Sequence, residues 1–315
     1  MECVFLDKGS LDRGDINFDH LKSKFSRWIE YETTAADETL SRINNADVII
    51  TNKVKITETI LRSCNKLKLV CVAATGTNNV DLAAAKKLNI PVCNVTGYAT
   101  HSVVQHVFSL ILALHNNLIN YDQLVKSHAW DKSDHFCLLN YPITEMYGKT
   151  LGIIGYGELG KAVANVAGAF GINVIIAESL TGRQSNNRLP LDHLLQQSDI
   201  ISLHCPLTPQ TQNLINQQAL ELMKPSSFLI NAARGGIVNE QDLLQALKQK
   251  RIAGAALDVL SEEPPHNNIL IDANLPNLII TPHIAWASQR SRQNLVEELE
   301  KNIEAFFNRE ERNLV

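Results

Sequence analysis

Several features that define special classes of protein are absent from this sequence. Lysine and arginine form no long run and the formal net charge is −4, whereas nucleic-acid-binding domains carry clustered positive charge. The longest apolar stretch, around Val103 to Leu114, contains Gln105 and His106 and is too short to span a bilayer. The N-terminus has neither the basic start nor the apolar run of a signal peptide. We therefore expect a cytoplasmic protein with no nucleic-acid partner and no membrane partner.

Cysteine is also scarce, with six residues in a chain of 315, and no two of them form a C-x-x-C pair. That spacing is the signature of many zinc sites and of thioredoxin-like motifs, so we expect no metal site. Cys71 and Cys205 lie in or beside apolar, strand-like runs, which is typical of buried free thiols. Disulfides are rare in a reducing cytosol, and we expect none here.

What is present is a globular composition, 45% hydrophobic and 20% charged, in a chain long enough for roughly two domains. Over residues 1–98, nearly all-apolar runs alternate with helical patterns, as in parallel sheets covered on both faces. The predicted strands are Cys3–Leu6, Val48–Thr51, Leu69–Ala73 and Val92–Asn94, and the predicted helices are Asp19–Trp28, Ala36–Ile43, Thr57–Arg62 and Asp81–Leu88.

A long helical pattern and a second α/β series follow. The segment from about Ser102 to Val125 is so apolar that we expect it to be buried on more than one side, within one subunit or against a second one. A looser stretch covers residues 128–148. The predicted strands after it are Leu151–Ile154, Val174–Ala177, Ile200–His204, Phe228–Asn231, Ala255–Val259 and Leu278–Thr281, and the predicted helices are Leu159–Phe170, Leu191–Gln196, Asn216–Leu222, Gln241–Gln249 and Ser288–Asn308.

The strongest local motif is a G-x-G-x-x-G run that follows a predicted strand and opens a predicted helix. In such a motif Gly155 permits a tight turn, Gly157 lets the backbone approach a pyrophosphate, and Gly160 lets the helix pack against the sheet. Glu178 ends the next predicted strand, where an acid accepts hydrogen bonds from the ribose 2′-hydroxyl and repels a 2′-phosphate. We therefore expect NAD rather than NADP, although Arg183 nearby would soften that preference.

Three polar residues follow predicted strands in the second half of the chain: Arg234, Glu263 and His283. Ligands of open α/β sheets bind beyond the carboxyl ends of the strands, so all three are expected at one ligand site. Reduction of a 2-oxo acid needs a proton donor, which histidine supplies near neutral pH. A carboxylate fixes the tautomer of that histidine and stabilises its cation, and an arginine binds the substrate carboxylate.

On these motifs the chain resembles the D-isomer-specific 2-hydroxyacid dehydrogenases along nearly its whole length. The motifs are Gly155–Gly160, Asn231–Glu240, Gly254–Val259 leading to Glu263-Pro264, and Thr281-Pro282-His283. The resemblance implies an α/β fold of two doubly wound parallel-sheet domains, Rossmann- or flavodoxin-like, with a cleft between them. It implies a substrate-binding domain of residues 1–98 plus 288–315, an NAD-binding domain of residues 99–287, and a homodimer formed through the 102–125 helix region.

The resemblance also implies roles for individual residues. Arg234 would bind substrate, Glu263 would be the partner acid of the acid/base His283, and Asp258 would hydrogen-bond the nicotinamide carboxamide. The cofactor contacts implied in this way are Gly155, Gly157, Glu158, Leu159, Gly160, Glu178, Cys205, Pro206, Ala232, Ala233, Arg234, Asp258 and His283, with Thr100 and Val103 near the nicotinamide. The substrate contacts are Ala74, Thr75, Gly76, Arg234, His283 and Trp286, where the turn at Ala74–Gly76 offers backbone N–H groups to a carboxylate.

Within the family, the run from His283 to Ser288, which contains Trp286, is most similar to glycerate dehydrogenases, also called hydroxypyruvate reductases. We therefore expect an NAD-dependent enzyme that interconverts hydroxypyruvate and D-glycerate. D-lactate and glyoxylate dehydrogenases of the same family remain alternatives. Formate or phosphite oxidation on the same scaffold is another alternative, and the presence of Glu263 argues against formate. A corepressor-like dinucleotide sensor is a further alternative, which would be expected to carry interaction tails that this sequence does not show.

Overall fold

A computed structural model describes residues 1–179 and 187–315, so Arg183 lies outside the described residues. The chain forms two compact units: the first combines Met1–Ala99 with Trp286–Val315, and the second comprises Thr100–Ala285. Numbered along the chain, the strands are β1 Glu2–Phe5, β2 Arg27–Glu30, β3 Val48–Thr51, β4 Leu69–Val72, β5 Val92–Cys93, β6 Thr150–Ile154, β7 Asn173–Ile176, β8 Ile200–Leu203, β9 Phe228–Asn231, β10 Gly254–Leu257 and β11 Leu278–Ile280. The α-helices are α1 Asp19–Ser23, α2 Thr39–Ile43, α3 Glu58–Ser63, α4 Leu82–Lys87, α5 Thr100–His115, α6 Leu118–Lys126, α7 Glu158–Ala169, α8 Leu191–Gln197, α9 Gln217–Leu222, α10 Glu240–Lys248, α11 Ile269–Asp272 and α12 Gln289–Phe307.

The first unit is built on a parallel sheet with the strand order β2-β1-β3-β4-β5. Cys3 and Phe5 of β1 pack on the face that α12 covers, whereas Val4 and Leu6 pack on the opposite face. Because both faces are buried, the strands read as continuous apolar runs rather than as an alternating pattern. The chain reverses its direction of travel across the sheet between β1 and β3.

The second unit is built on a parallel sheet with the order β11-β10-β9-β8-β6-β7. Here the reversal falls between β6 and β8, and such a switch point is where open α/β sheets bind their ligands. The carboxyl ends of β6, β8, β9, β10 and β11 share one edge of the sheet. The predicted α/β class, with two doubly wound parallel sheets, is thereby confirmed.

The predicted helix Asp19–Trp28 is wrong in its second half. Helix α1 ends at Ser23, and the chain then forms the edge strand β2. The ring of Trp28 lies in that strand and packs edge-on against Phe5 with the centroids 6.4 Å apart. Charged residues at both ends of the strand, Arg27 and Glu30, hide it in the sequence, because an edge strand is only partly buried and lacks a continuous apolar run.

The predicted long helix Ser102–Val125 is two helices, α5 and α6, which meet at a bend of 61°. Asn117 adopts a left-handed conformation with φ of 49° at the break, and its side chain donates to the Pro142 carbonyl. Asparagine tolerates this region better than most residues, so the Asn116-Asn117 pair ends the helix. Within the described residues, no single helix is long and apolar enough to cross a membrane, and only the bent pair α5 and α6 together passes on length and composition.

Candidate active site

The glycine-rich turn after β6 has the geometry that a dinucleotide requires. Gly155 has φ of 94°, and a Cβ there would lie 2.5 Å from the backbone nitrogen of Cys205. A Cβ on Gly160 would lie 2.2 Å from the carbonyl oxygen of Gly155, whereas one on Gly157 would meet nothing within 4 Å. Two glycines therefore permit close packing, and the third leaves open space at the N-terminus of α7, where free N–H groups favour a phosphate.

A pocket of about 640 Å³ lies at this switch point and is lined by Gly157, Glu178, Arg188, Cys205, Pro206 and Thr211, among others. Its size is within the range of small-molecule and cofactor sites. Glu178 is exposed and is fixed by its backbone N–H, which donates to the Leu189 carbonyl at 2.8 Å. The described residues of this pocket thus fit the adenosine half of NAD, with an acid placed where the ribose hydroxyls are expected.

His204 forms the floor of the same pocket at the end of β8. Burial lowers the pKa of His204 to about 4, so its imidazole is neutral at physiological pH. Its Nε2 lies 2.8 Å from Ser202 Oγ, and its buried Nδ1 has no partner among the described residues. The backbone of His204 packs directly on Gly155, so this residue supports the turn.

Arg234 lies in a turn that follows β9. The side chain of Asn231 accepts from Ala233 N at 3.0 Å and donates to the Arg234 carbonyl at 2.9 Å, which closes the turn. A Cβ on the next residue, Gly235, would lie 1.8 Å from the carbonyl oxygen of Leu260. Glycine is therefore required for the arginine turn to lie directly against the segment that precedes Glu263.

His283 and Glu263 are in direct contact, with His283 Nδ1 2.6 Å from Glu263 Oε2. The other oxygen of Glu263 accepts from the backbone N–H of Leu260 at 3.0 Å. Both side chains are partly exposed, at 27% and 34%. The backbone of His283 is left-handed, with φ of 54°, a conformation that non-glycine residues adopt rarely and that clusters at functional sites.

Asp258 holds the segment that carries His283. Its carboxylate, 1% exposed, accepts from Thr281 Oγ1 at 2.5 Å and from the backbone N–H groups of Ile284 at 2.9 Å and Ala285 at 2.8 Å. His106 Nε2 lies 3.0 Å from Thr281 Oγ1 and 3.4 Å from the carboxylate. Burial would raise the pKa of Asp258, but the hydrogen bonds from His106, Thr281 and the two N–H groups outweigh it and lower that pKa.

The Asp258 carboxylate is therefore engaged with the protein's own groups, namely two backbone N–H groups and the side chains of Thr281 and His106. A role toward the nicotinamide carboxamide stays a prediction from the resemblance. The hydrogen bonds show that Asp258 positions the segment that carries His283, since the Asp258 carbonyl also accepts from His283 N at 2.8 Å.

The remaining cofactor residues of the second unit lie close to the glycine turn or to the arginine turn. Thr100 is the first residue of α5, and its hydroxyl donates to the carboxylate of Glu158 in the first turn of α7. Val103 is buried in α5, three residues further on. Leu159 follows Glu158 in α7 and Pro206 follows Cys205 after β8, while Ala232 and Ala233 connect β9 to Arg234.

The other predicted substrate residues belong to the first unit. Ala74, Thr75 and Gly76 follow β4, where the Ala74 carbonyl accepts from Val95 N at 3.1 Å and the Thr75 hydroxyl donates to the Val95 carbonyl at 2.8 Å. Trp286 packs edge-on against Tyr98, with the ring centroids 6.3 Å apart. The structure thus brings Glu263 and His283 into contact in the second unit, places Arg234 in the turn whose next residue, Gly235, lies against Leu260, and places these four residues in the first unit.

Several residues that organise the site escaped the sequence reasoning. His106 is a polar residue inside an apolar helix, and that isolated polarity was a usable signal of a buried contact. Glu240 closes one of the motifs but shows no chemistry in the sequence. Arg188 lies 28 positions after Gly160, and no local pattern connects it to the pocket.

A dinucleotide turn at a switch point, with a histidine–carboxylate pair and an arginine at neighbouring strand ends, defines an α/β oxidoreductase that uses a nicotinamide cofactor. Residues 108–285 match the model of the D-isomer specific 2-hydroxyacid dehydrogenase NAD-binding domain. This chain belongs to that family, and NAD is its cofactor.

Two relatives align with almost the whole chain. The chain is 45% identical to a glycerate dehydrogenase of Methylorubrum extorquens over 318 aligned residues, and this alignment covers 100% of this chain and 98% of the relative. It is 37% identical to a hydroxypyruvate reductase of Blautia hydrogenotrophica, with 98% and 97% covered. Among solved structures, D-lactate dehydrogenase from Aquifex aeolicus complexed with NAD and lactic acid is 30% identical, with a TM-score of 0.83 and 98% and 96% covered.

Proposed function

We propose that this enzyme reduces hydroxypyruvate to D-glycerate with NADH and catalyses the reverse oxidation with NAD. The observation that carries the proposed chemistry is the 2.6 Å contact between His283 and Glu263, in the unit that also carries Arg234 and the glycine turn. The choice of substrate rests on the glycerate dehydrogenase and hydroxypyruvate reductase relatives, which align with nearly the whole chain.

In the proposed mechanism the protein supplies the proton and the charge stabilisation, while bound NADH supplies the hydride to the carbonyl carbon. His283 gives a proton from Nε2 to the carbonyl oxygen as that hydride is added. Glu263 contacts Nδ1, fixes the tautomer and stabilises the imidazolium that exists before the transfer. Arg234 binds the substrate carboxylate and polarises the carbonyl with a fixed charge. In the oxidative direction the same histidine takes the proton back.

The residues proposed to hold NAD follow from the pocket. Gly155, Gly157 and the first N–H groups of α7 would bind the pyrophosphate. Glu178 would accept hydrogen bonds from the adenosine ribose and disfavour NADP. Arg188 lines the same pocket, which supports a graded preference rather than exclusion of NADP.

In the first unit, the turn at Ala74–Gly76 is proposed to bind the substrate carboxylate through backbone N–H groups, and Trp286 is proposed to limit the size of the substrate side chain. The backbone of this turn is fixed by contacts to the segment after β5, including Asn94 Nδ2 to the Thr75 carbonyl at 2.7 Å. A preformed turn supports anion binding because no ordering of the loop is then required.

Steady-state kinetics across hydroxypyruvate, glyoxylate and pyruvate, with NADH and with NADPH, test the proposal. We expect the highest kcat/KM with hydroxypyruvate and NADH, and chiral analysis should find D-glycerate as the product. A higher kcat/KM with glyoxylate or pyruvate would transfer the assignment to the corresponding alternative enzyme. Binding of NADH without turnover of any 2-oxo acid would favour the sensor alternative.

We also propose that the enzyme is a homodimer formed through the 102–125 helix region, of which α6 is part, together with the stretch that follows α6. Large apolar side chains are exposed there, including Trp130 at 48%, Phe136 at 91%, Leu139 at 82% and Tyr147 at 82%. Monomeric proteins rarely expose so much apolar surface in one segment, and a second copy would cover it. Light scattering after size exclusion should give twice the chain mass of 35.0 kDa, and Phe136→Glu should shift it toward the single-chain mass.

The cytoplasm is the proposed compartment. Six free cysteines support it, because Cys71 and Cys93 lie in paired positions of β4 and β5 with their sulfurs 3.4 Å apart, and a reducing compartment keeps such thiols unlinked. Cell fractionation should recover the activity with cytosolic markers.

A further inference from the structure

Glu240, the first residue of α10, contacts both ends of the loop that carries Glu263. Its Oε1 accepts from the backbone N–H of Ser261 at 2.7 Å. Its Oε2 accepts from the side-chain amide of Asn268 at 2.7 Å. Both contacts are made by an ionised acceptor, which gives shorter and stronger hydrogen bonds than a neutral one. One carboxylate thus connects the beginning of the loop to its end.

Hydrogen bonds rather than apolar burial position this loop. Residues 261–267 are all exposed, so apolar burial contributes little to their position. At the far end, Asn268 uses its side-chain oxygen to cap α11 by accepting from Leu270 N and Ile271 N, and its amide group is directed to Glu240. At the near end, Leu260 N donates to Glu263 itself, next to the residue that Glu240 holds.

We propose that Glu240 is a positioning residue for the reaction: it fixes the Glu263 loop so that Glu263 meets His283 Nδ1 at hydrogen-bond distance. The inference rests on the proposed function, in which Glu263 stabilises the cationic form of His283. Glu240 terminates the same segment that begins at Asn231 and carries Arg234, and Gly235 in that segment packs on the Leu260 carbonyl. The segment that carries the substrate-binding arginine thus also ends in the residue that contacts the Glu263 loop, while Glu240 itself contacts Ser261 and Asn268.

The test compares Glu240→Ala, Glu240→Gln and a matched control, Asp242→Asn. Asp242 lies in the same first turn of α10 but accepts from Gln217 N at 2.8 Å, on the α9 side, so its substitution removes the same charge without touching the Glu263 loop. Glutamine keeps one acceptor for Ser261 N, but its amide faces the Asn268 amide, and two donors cannot bond. Turnover is expressed per NADH-binding site, so that inactive or unfolded protein does not count.

We expect kcat for hydroxypyruvate to fall by about thirtyfold in Glu240→Ala, as for a reacting group displaced by a fraction of an ångström. Glu240→Gln should lie between this variant and the wild type. The KM for hydroxypyruvate and the dissociation constant of NADH should stay within about twofold of the wild type, since neither Arg234 nor the glycine turn is altered. Asp242→Asn should keep the wild-type kcat.

Glu263→Gln separates the two levels of the argument. If it lowers kcat while both Glu240 variants leave kcat unchanged, the positioning role is overturned and the proposed function stands. An equal loss in Asp242→Asn would also overturn the positioning role, because the effect would then belong to α10 as a whole. If Glu263→Gln has no effect on kcat, the role of Glu263 in the proposed mechanism fails and this inference fails with it, while absence of hydroxypyruvate turnover by the wild type would overturn the proposed function. Should Glu240→Ala not fold, Glu240→Gln decides alone by the same criteria.

Discussion

The two sheets share the order of their first five strands, yet their switch points are filled differently. In the first unit, the carboxylate of Asp7 lies between the ends of β1 and β3 and accepts from Asn52 N at 2.8 Å and Lys53 N at 2.6 Å. In the second unit, the corresponding place between β6 and β8 holds Gly155 and the open space at Gly157. The first crevice is closed by the protein's own anion, and the second is left for a ligand.

The two switch points show that the topology of the sheet determines where backbone N–H groups gather, and that the sequence determines which acceptor those groups meet. A doubly wound sheet gathers backbone N–H groups at its switch point, and buried N–H groups must find an acceptor. An aspartate in the first unit satisfies them internally. Glycines in the second unit remove side chains from the same place, so that phosphate oxygens can do so. The same fold thereby gives one unit whose switch point is closed by its own side chain and one unit whose switch point is open to a dinucleotide.

The largest effect should come from removing the proton donor of the second unit. His283→Ala deletes the only group we assign to proton transfer, so kcat for hydroxypyruvate should fall by about a thousandfold. NADH binding, measured by fluorescence titration, should remain unchanged because the glycine turn is intact. Turnover close to that of the wild type would remove His283 from the mechanism.

A second substitution tests whether the first switch point is purely structural. Asp7→Ala would leave buried backbone N–H groups without an acceptor and should lower the free energy of unfolding by about 3 kcal/mol. Asp7→Asn keeps one acceptor oxygen and should lose much less. Burial, partly opposed by the hydrogen bonds from Asn52, Lys53 and Val54, raises the pKa of Asp7, so its ionisation already disfavours the folded state.

The difference in the free energy of unfolding between the wild type and Asp7→Asn should also depend on pH. A raised pKa in the folded protein means that this group's contribution to stability declines as pH rises from its ordinary value of about 3.9 through the folded-state value. The gap in urea-unfolding free energy between wild type and Asp7→Asn should therefore narrow across that interval as the pH is raised. A gap that widens with rising pH would contradict the assignment, and a loss of NADH affinity in either variant would contradict the structural role.

At the second switch point, two neighbouring glycines should separate binding from stability. Gly157→Ala adds a methyl group to open space and should leave the melting temperature unchanged, while the dissociation constant of NADH rises by about tenfold because the pyrophosphate loses its close approach. Gly160→Ala drives a methyl group into the Gly155 carbonyl and should lower the melting temperature. Equal effects of both substitutions on both measurements would argue against an open phosphate site.

The smallest effect should be a change in cofactor preference. Glu178→Ala removes a negative charge from the ribose end of the pocket and leaves Arg188 there, so kcat/KM for NADPH should rise by about fivefold relative to NADH. Adding Arg188→Ala to this variant should reverse the gain. Unchanged preference in Glu178→Ala would count against a ribose contact.

The sequence was sufficient for the parts of the structure that local patterns encode. Continuous apolar runs located both central sheets, and the glycine motif located the open switch point, because each of these needs particular residue types over a short stretch. Strand β2 was missed because an edge strand is half-buried, and the break between α5 and α6 was missed because it depends on the conformation of Asn117 alone.

In the proposed site, the groups assigned to the reaction were predictable, whereas the residues that hold them in place were not. Arg234, Glu263 and His283 follow strands and have distinctive chemistry, so their placement could be anticipated. His106 contacts Asp258, which lies 152 positions later in the chain. Glu240 contacts Ser261, which lies 21 positions later. Such contacts exist only once the chain is folded, and no local pattern reports them.

The proposed mechanism requires that His283 and Glu263 act together as one catalytic pair. The direct measurement is the kcat of wild type, Glu263→Gln, His283→Ala and the double variant, each expressed per NADH-binding site. If the two residues act as one catalytic pair, the kcat of the double variant should be no lower than that of His283→Ala, since the acid has no function without the histidine it stabilises. Losses that multiply in the double variant would show independent roles and would contradict the mechanism.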